Sequence, residues 1–308
     1  MVSCIQRLKT GLERRLLKSP AESFWKDKLI SLQESHDKIR SHVLEKKPFC
    51  AARLGAVELG ILMWGKGIPQ IGKFGLRVPL LFSETRRGAS NAGIRPRTRT
   101  SYREFANLEF ENLPCIDLMP TWSTPLEFAV LHHTDLHPYF CDVEQLSPTM
   151  SNAPHWVEAL DGKRVLVVSP FKTSIERQIP ELSRIWTRRP WTWKADFTVL
   201  QFPYLIDENC PQSWQDVWKE MLSVVKAGEY DVALFGCGGL GMPLAAAAKR
   251  AGRIGIHMGG HLQLLFGIYG QRHLEQEWHA RWINESWIRP LPQEVAESAK
   301  RVENACYW

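Results

Sequence analysis

The chain has 308 residues, a net charge of +6 and 44% hydrophobic content, enough to bury a sizeable core in one large domain or two small ones. This composition excludes the collagen-like, low-complexity and disordered classes. The longest chargeless apolar run, between Asp231 and Lys249, contains four glycines and a proline, which argues against a continuous membrane span of about 20 residues.

Met1 to Pro20 lacks the unbroken apolar core and small-residue cleavage site of a secretory signal, so a soluble, cytoplasmic protein is expected. Seven cysteines without a C-x-x-C pair suggest neither a disulfide framework nor a zinc ribbon. Ile5, Leu8, Leu12 and Leu16 recur at helical spacing, with Arg7, Lys9, Arg14, Arg15 and Lys18 mostly off that face. The pattern predicts a basic amphipathic helix over residues 1–18, suited to peripheral contact with the inner membrane or to packing on the chain or a second subunit. Ser19-Pro20-Ala21-Glu22 then reads as a capping box opening a second helix, with Trp25, Leu29, Leu32, Ile39 and Val43 on one stripe and an end near Lys47, before Pro48.

From Phe49 short apolar runs alternate with helical segments. This predicts an α/β, Rossmann-like fold, a mostly parallel sheet flanked by helices, over residues 48–308 after a helical extension of residues 1–47. Strands are expected at Phe49 to Leu54, Val165 to Ser169, Phe197 to Phe202, Val232 to Phe235 and Ile254 to Met258. Between Arg86 and Arg103 lie six arginines and no acid, which reads as a basic loop leading into a helix. Thr173-Ser174-Ile175-Glu176 reads as a capping box whose helix Pro180 breaks or restarts. Ser213-x-x-Asp216 caps another helix, which Gly228 ends.

The strongest local pattern is the run Asp231 to Pro243, a strand ending in Gly236, Gly238, Gly239 and Gly241 and opening a helix of Leu244 to Lys249. Glycines let backbone amides approach a phosphate, and a helix start adds N–H groups and positive potential; the same residues also allow a tight turn and close helix packing. A nicotinamide enzyme wants an acid on the ribose about 20 residues later, whereas the next strand here ends in Ile256-His257-Met258-Gly259-Gly260.

At the first strand exit, Arg53-Leu54-Gly55-Ala56-Val57-Glu58 places a guanidinium and a carboxylate where open α/β sheets bind ligands. Arg53 suits a diphosphate. Glu58 suits a divalent ion or the proton of an attacking hydroxyl, or it complements the dipole of its own helix. Ser169 and Lys172 stand at another strand-to-helix corner. The glycines 259 and 260 and Gln263 offer hydrogen bonds to a nucleotide or sugar, and the Gly-Gly step argues against His257 and His261 jointly holding a metal. Most of the 13 tryptophans are expected in the core. No nucleic-acid module accompanies the arginines, so an anionic substrate is the simpler partner.

Taken in order, Arg53-x-Gly55-x-x-Glu58, Asn91-Ala92-Gly93, Gly162 to Phe171, the Gly236 loop and Gly259-Gly260-His261-Leu262-Gln263-Leu264-Leu265-Phe266-Gly267-Ile268 resemble the GT-D-fold glycosyltransferases and their GT-D-like relatives from bacterial polysaccharide loci, over residues 48–308. The resemblance implies a nucleotide-sugar donor and a saccharide or lipid-linked saccharide acceptor. It also implies catalytic Arg53 and Glu58, donor contacts that include Asn91, and a divalent ion such as Mn2+ or Mg2+ held by an Asp-x-Glu pair. Ala56 stands at the Asp position, so one ligand is absent and the leaving diphosphate needs cationic or N–H partners instead. A catalytically silent nucleotide-sugar-binding or scaffold protein is the alternative, with an NAD-dependent oxidoreductase behind it.

Overall fold

The structure, a computed structural model, describes residues 21–71, 77–82, 92–150, 154–188, 194–207, 209–301 and 305–308. The basic helix expected over residues 1–18 and Asn91 lie outside the described residues. Among the described residues there are nine strands: β1 (Phe49–Ala51), β2 (Gln70–Ile71), β3 (Arg77–Val78), β4 (Leu118–Thr121), β5 (Tyr139–Asp142), β6 (Arg164–Ser169), β7 (Asp196–Gln201), β8 (Val232–Phe235) and β9 (Ile254–His257). Seven of them form one all-parallel sheet in the order β5-β4-β1-β9-β8-β6-β7, and β2 and β3 form a small antiparallel pair. The expected α/β fold, a Rossmann-like parallel sheet covered by helices, is what the chain adopts.

Because strand side chains alternate faces, the apolar runs feed two cores. Cys50, Ala52, Leu166, Val168, Ala233 and Phe235 pack on one face; Phe49, Ala51, Val165, Val167, Val232, Leu234, Ile254 and Ile256 pack on the other. Five helices contribute to the first core: α2 (Ala56–Lys66), α3 (Arg99–Asn112), α4 (Pro125–Thr134), α6 (Trp214–Ala227) and α7 (Gly241–Arg250). The second is covered by α1 (Leu32–Glu45), α5 (Lys172–Gln178) and α8 (His261–Leu265). The alanine face of α7 sits directly on β9, since a Cβ at Gly255 would run into the backbone of Ala245. Among the described residues, no helix is long and apolar enough to cross a membrane.

Three local expectations are corrected. The helix expected to run from the Ser19 box to Lys47 is broken: helical residues 21–25 are followed by an extended stretch in which Leu29 bridges Phe140 and Ile30 N donates to Phe140 O. Pairing with the β5 edge wins over helix continuation there, and Ser31 restarts α1 by accepting from Glu34 N. The whole stretch is part of the main body, with Ala21 and Trp25 in the first core and Ile39 and Val43 in the second.

The second correction concerns α5, which starts one residue before the Thr173 box with Phe171 at the N-cap and no side-chain cap. Its exposed amides are taken by a carboxylate far along the chain. Glu294 accepts from Thr173 N (2.6 Å), from Ser174 N (3.0 Å) and from the Ser174 hydroxyl. Pro180 then restarts the helix as a 3-10 turn, Ile179–Glu181.

The third concerns β4 and β5, strands absent from the sequence reading. Pro120 lies inside β4, normally a mark against a strand. Leu118 O accepts from Ala52 N, so Pro120, two residues on, faces the same side, where β1 has already ended. Its missing N–H breaks no ladder bond.

Candidate functional site

The central strands end in a common crevice. The helices after β1 and β8 leave toward the first core and those after β9 and β6 toward the second, so neighbouring chain exits diverge and leave space beyond the carboxyl ends of the sheet. A cavity of about 570 Å³ occupies that space, lined by Arg53, Gly55, Glu58, Ser169, Gly236, Gly238, His257, Gly259, Gly260 and Gln263 among others. Ten of the positions singled out from sequence thus share one wall-to-wall site.

Arg53 follows β1 directly and its guanidinium lies over the Trp122 ring, 4.8 Å from the centroid. The Gly259 turn also lies against it, where φ is +57° and any Cβ would overlap the guanidinium. Only glycine satisfies both the backbone and the space. Burial pulls Arg53 below its ordinary basicity, yet a guanidinium stays charged at any physiological pH. The crevice therefore keeps a flat, stacked, permanently cationic fork on its floor.

Glu58 occupies the first turn of α2, and Gly55 is the N-cap. Its carboxylate folds back across Gly55, where a Cβ would collide with Oε2. Burial raises the Glu58 carboxyl, while its own backbone N–H and Arg53 oppose that rise. Glu109 on α3, missed from sequence, is fully buried with neither carboxylate oxygen hydrogen-bonded; burial, and then the charge of Glu58, push it well above the ordinary range. The donor-side ion implied by the resemblance finds no pair of ligands here, because Ala56 supplies none and Glu58 is turned onto its own helix. The residues do not fit that ion.

His257 Nδ1–H donates to Arg53 O at 3.1 Å, which leaves Nε2 as the acceptor. Burial, reinforced by the Arg53 charge, holds this imidazole down at about 3, so it is neutral. Gly241 is not on the cavity wall; its bare Cα makes room for the His257 ring. Gly239 lies beneath, against Phe105, Ile94 and Glu58. Gly236 N and Gly259 N are spent inside the fold, on Val168 O and Phe235 O. Gln263 Nε2 donates to Ile268 O and Tyr307 O, and its Oε1 is a buried acceptor with no partner. Ser169 Oγ accepts from Phe171 N. Lys172 is away from the cavity, 3.7 Å from Glu176 on the surface of α5.

Three described arginines of the basic loop also point elsewhere. Arg95 donates to Asp207 O, Arg99 stacks on Phe82, and Arg103 lies over Trp64. The second cation of the crevice is instead Arg272, which the sequence reading did not single out, nor did it single out Trp122; Tyr307 and Trp308, from the chain end, complete the wall. Arg272 Nη1 donates to Tyr307 Oη at 2.9 Å and its guanidinium lies 5.0 Å from the Tyr307 centroid. The Tyr307 ring rests on Gly260, and Trp308 Nε1 donates to Glu294 O at 2.9 Å. The run of tryptophans toward the chain end was a visible signal, but only Trp308 of them reaches the crevice; Trp287 packs with Trp186 in a separate cluster.

Two guanidinium groups, a neutral imidazole, a carboxyl of raised pKa and glycine turns in one cavity favour an anionic ligand with hydroxyl groups. Comparison of the chain with protein-family models, with curated proteins and with solved structures returns no match.

Proposed function

We propose that the chain is a GT-D-like glycosyltransferase that moves a sugar from a nucleotide-sugar donor to an acceptor hydroxyl in bacterial surface or exopolysaccharide synthesis. The observation that supports it best is the convergence of Arg53 and Arg272 on the crevice that also holds Glu58. In the step, the bond from the sugar C1 to the diphosphate oxygen breaks, and its electron pair leaves with the nucleoside diphosphate. A bond from C1 to the acceptor oxygen forms, and the acceptor proton passes to Glu58. The charge growing on the diphosphate is met by the two guanidinium groups, each held against an aromatic ring before a ligand arrives. Burial makes Glu58 a stronger base than an exposed carboxylate. Trp122 and Trp308 offer apolar faces to a sugar, and Gln263 Oε1 an acceptor for one of its hydroxyls.

The test is a thermal-shift screen against UDP-, GDP-, dTDP- and CMP-sugars and NAD, with and without EDTA, each against a ligand-free control in the same buffer. One nucleotide-sugar is expected to raise the midpoint with and without EDTA, and Arg53→Ala to abolish the rise. Stabilisation by NAD alone, or by none of these, overturns the reading. The vacancy of ligands at Ala56 favours a second reading, a donor-binding protein without turnover. Transfer from labelled donor that Glu58→Gln eliminates rules it out.

A further inference from the structure

Close to the crevice, three side chains from distant parts of the chain converge on one point. Glu144 belongs to the 3-10 turn Val143–Leu146 after β5, His261 opens α8 just past the crevice-lining Gly260, and His279 lies on α9 (Glu277–Ala280). Glu144 Oε2 stands 3.2 Å from His261 Nε2 and 3.4 Å from His279 Nε2, and the three atoms lie within 4.8 Å of one another. The side chains of His261 and His279 are only 7% and 1% exposed. Glu144 Oε2 is buried without a hydrogen-bond partner, so the two imidazoles approach it closely but off the line of an N–H bond.

The two separations from Glu144 match those of a metal site. Ligand atoms about 2.0–2.1 Å from a tetrahedral Zn2+ stand about 3.3–3.4 Å from one another. The surroundings supply the orientation that such a site needs: His279 Nδ1 contacts Thr149 Oγ1, which in turn contacts Ser147 Oγ at 2.8 Å. With Nδ1–H donated to the threonine hydroxyl, the Nε2 lone pair faces Glu144 and His261. The third histidine nearby, His273, spends Nδ1 as the acceptor of Gly270 N, so its proton sits on Nε2 and it is no ligand.

We propose that Glu144, His261 and His279 bind a single Zn2+-class transition-metal cation, with the fourth position open to water. Two imidazoles and one carboxylate suit Zn2+ and its neighbours, whereas Mg2+ and Ca2+ demand oxygen-rich shells. The ion ties the β5 side of the sheet to α8 and to the C-terminal segment that carries Arg272 and Tyr307. It is a fastening for the crevice wall, separate from the donor-side ion that Ala56 excludes, and it does not depend on the transferase reading.

The experiment reads metal directly in the full chain. Protein purified without chelator is analysed for bound metal, stripped by dialysis against a chelator, and titrated with Zn2+ and Co2+ while its melting is followed. One equivalent of Zn2+ per chain is expected, with a midpoint that falls on stripping and returns with Zn2+ but not with Mg2+. Co2+ should give the intense visible bands of a four- or five-coordinate ion. Glu144→Gln, nearly the same shape, should weaken Zn2+ by more than the roughly 10- to 100-fold that loss of an outer-shell partner costs, and Thr149→Val by about that amount. His273→Asn, which keeps an acceptor for Gly270 N, should bind as the parent does. A parent chain that takes up no Zn2+ and melts identically with and without it overturns the site, as does equal affinity in Glu144→Gln. Should the variants fail to fold, the stoichiometry and the Co2+ spectrum of the parent chain decide.

Discussion

Arg53 packs against both Trp122 and Gly259: its guanidinium lies over the indole, 4.8 Å from the ring centroid, and the bare Cα of the glycine leaves it the room that a Cβ would take. Stacking of this kind contributes about 0.5–2 kcal/mol and orients the fork before a ligand arrives. Trp122→Ala should therefore weaken nucleotide-sugar binding by about that amount. Arg53→Lys, which keeps the charge and loses the fork, should lower turnover by about 10²–10³-fold. Titration calorimetry and steady-state transfer measure the two effects, and a Trp122→Ala protein binding as tightly as the parent would show that Arg53 needs no clamp.

Gly259 and Gly252 form a matched pair of substitutions. Both have positive φ, +57° and +77°, but a Cβ at Gly252 meets open space while one at Gly259 meets Arg53. Each change to alanine should cost about 1–2 kcal/mol of stability from the backbone alone. Gly259→Ala should in addition abolish donor binding, and Gly252→Ala should leave it intact. Melting curves and donor titrations on both proteins separate the two contributions.

Glu294 ties the C-terminal segment to the start of α5 through two amides and a hydroxyl. Glu294→Ala leaves the buried amide and hydroxyl of Ser174 without an acceptor and should destabilise the fold by about 2–3 kcal/mol. Hydrogen exchange at Thr173 and Ser174 should accelerate far beyond that of the β6 amides. Unchanged protection would mean that α5 caps itself.

The pH dependence of stability should carry the mark of Glu109. Burial and then Glu58 raise its pKa in the folded state, so the folded chain holds a proton that the unfolded chain releases near pH 4.3, roughly the free glutamate value. The stabilisation is fully present below the unfolded pKa and is lost as pH rises through the folded one. Glu58 is raised in the same sense. Urea melts across this range should show stability declining with pH in the parent and declining less in Glu109→Gln; parallel curves would place an ionised Glu109 in the core.

Lys172 serves as the opposite kind of test. It faces Glu176 on the surface of α5 and not the cavity, so Lys172→Ala should alter neither donor affinity nor, beyond about 0.5 kcal/mol, stability. A clear loss of binding would place the donor further across α5 than the crevice suggests.

The alternating runs of β6, β8 and β9 were legible because each strand feeds two cores and shows the continuous apolar character of a buried parallel strand. The glycines at 236, 259 and 260 were legible because punctuation at a strand exit has few other uses. β4 escaped notice because Pro120 falls just beyond the reach of its neighbour, a matter of register that pattern alone does not reveal. Glu109, Arg272 and Tyr307 escaped for another reason: each lies within a helix or terminal segment of ordinary composition, and only the folding of distant segments brings Arg272 and Tyr307 to the crevice and Glu109 near Glu58. The Thr173 box misled because a carboxylate 121 positions away does the capping.

The two central strands of the sheet, β1 and β9, pair Phe49 with Ile254 and Ala51 with Ile256. During synthesis β1 must wait for about two hundred further residues, and the completed trio β1, β4 and β5 for about 110, at roughly 5–20 residues per second, with one flank of β1 unpaired. That flank is an adhesive edge on the ribosome. Nascent chains halted before β9 are thus expected to be chaperone clients or aggregates, and long-range closure of this kind sets a slow folding rate whatever the final stability.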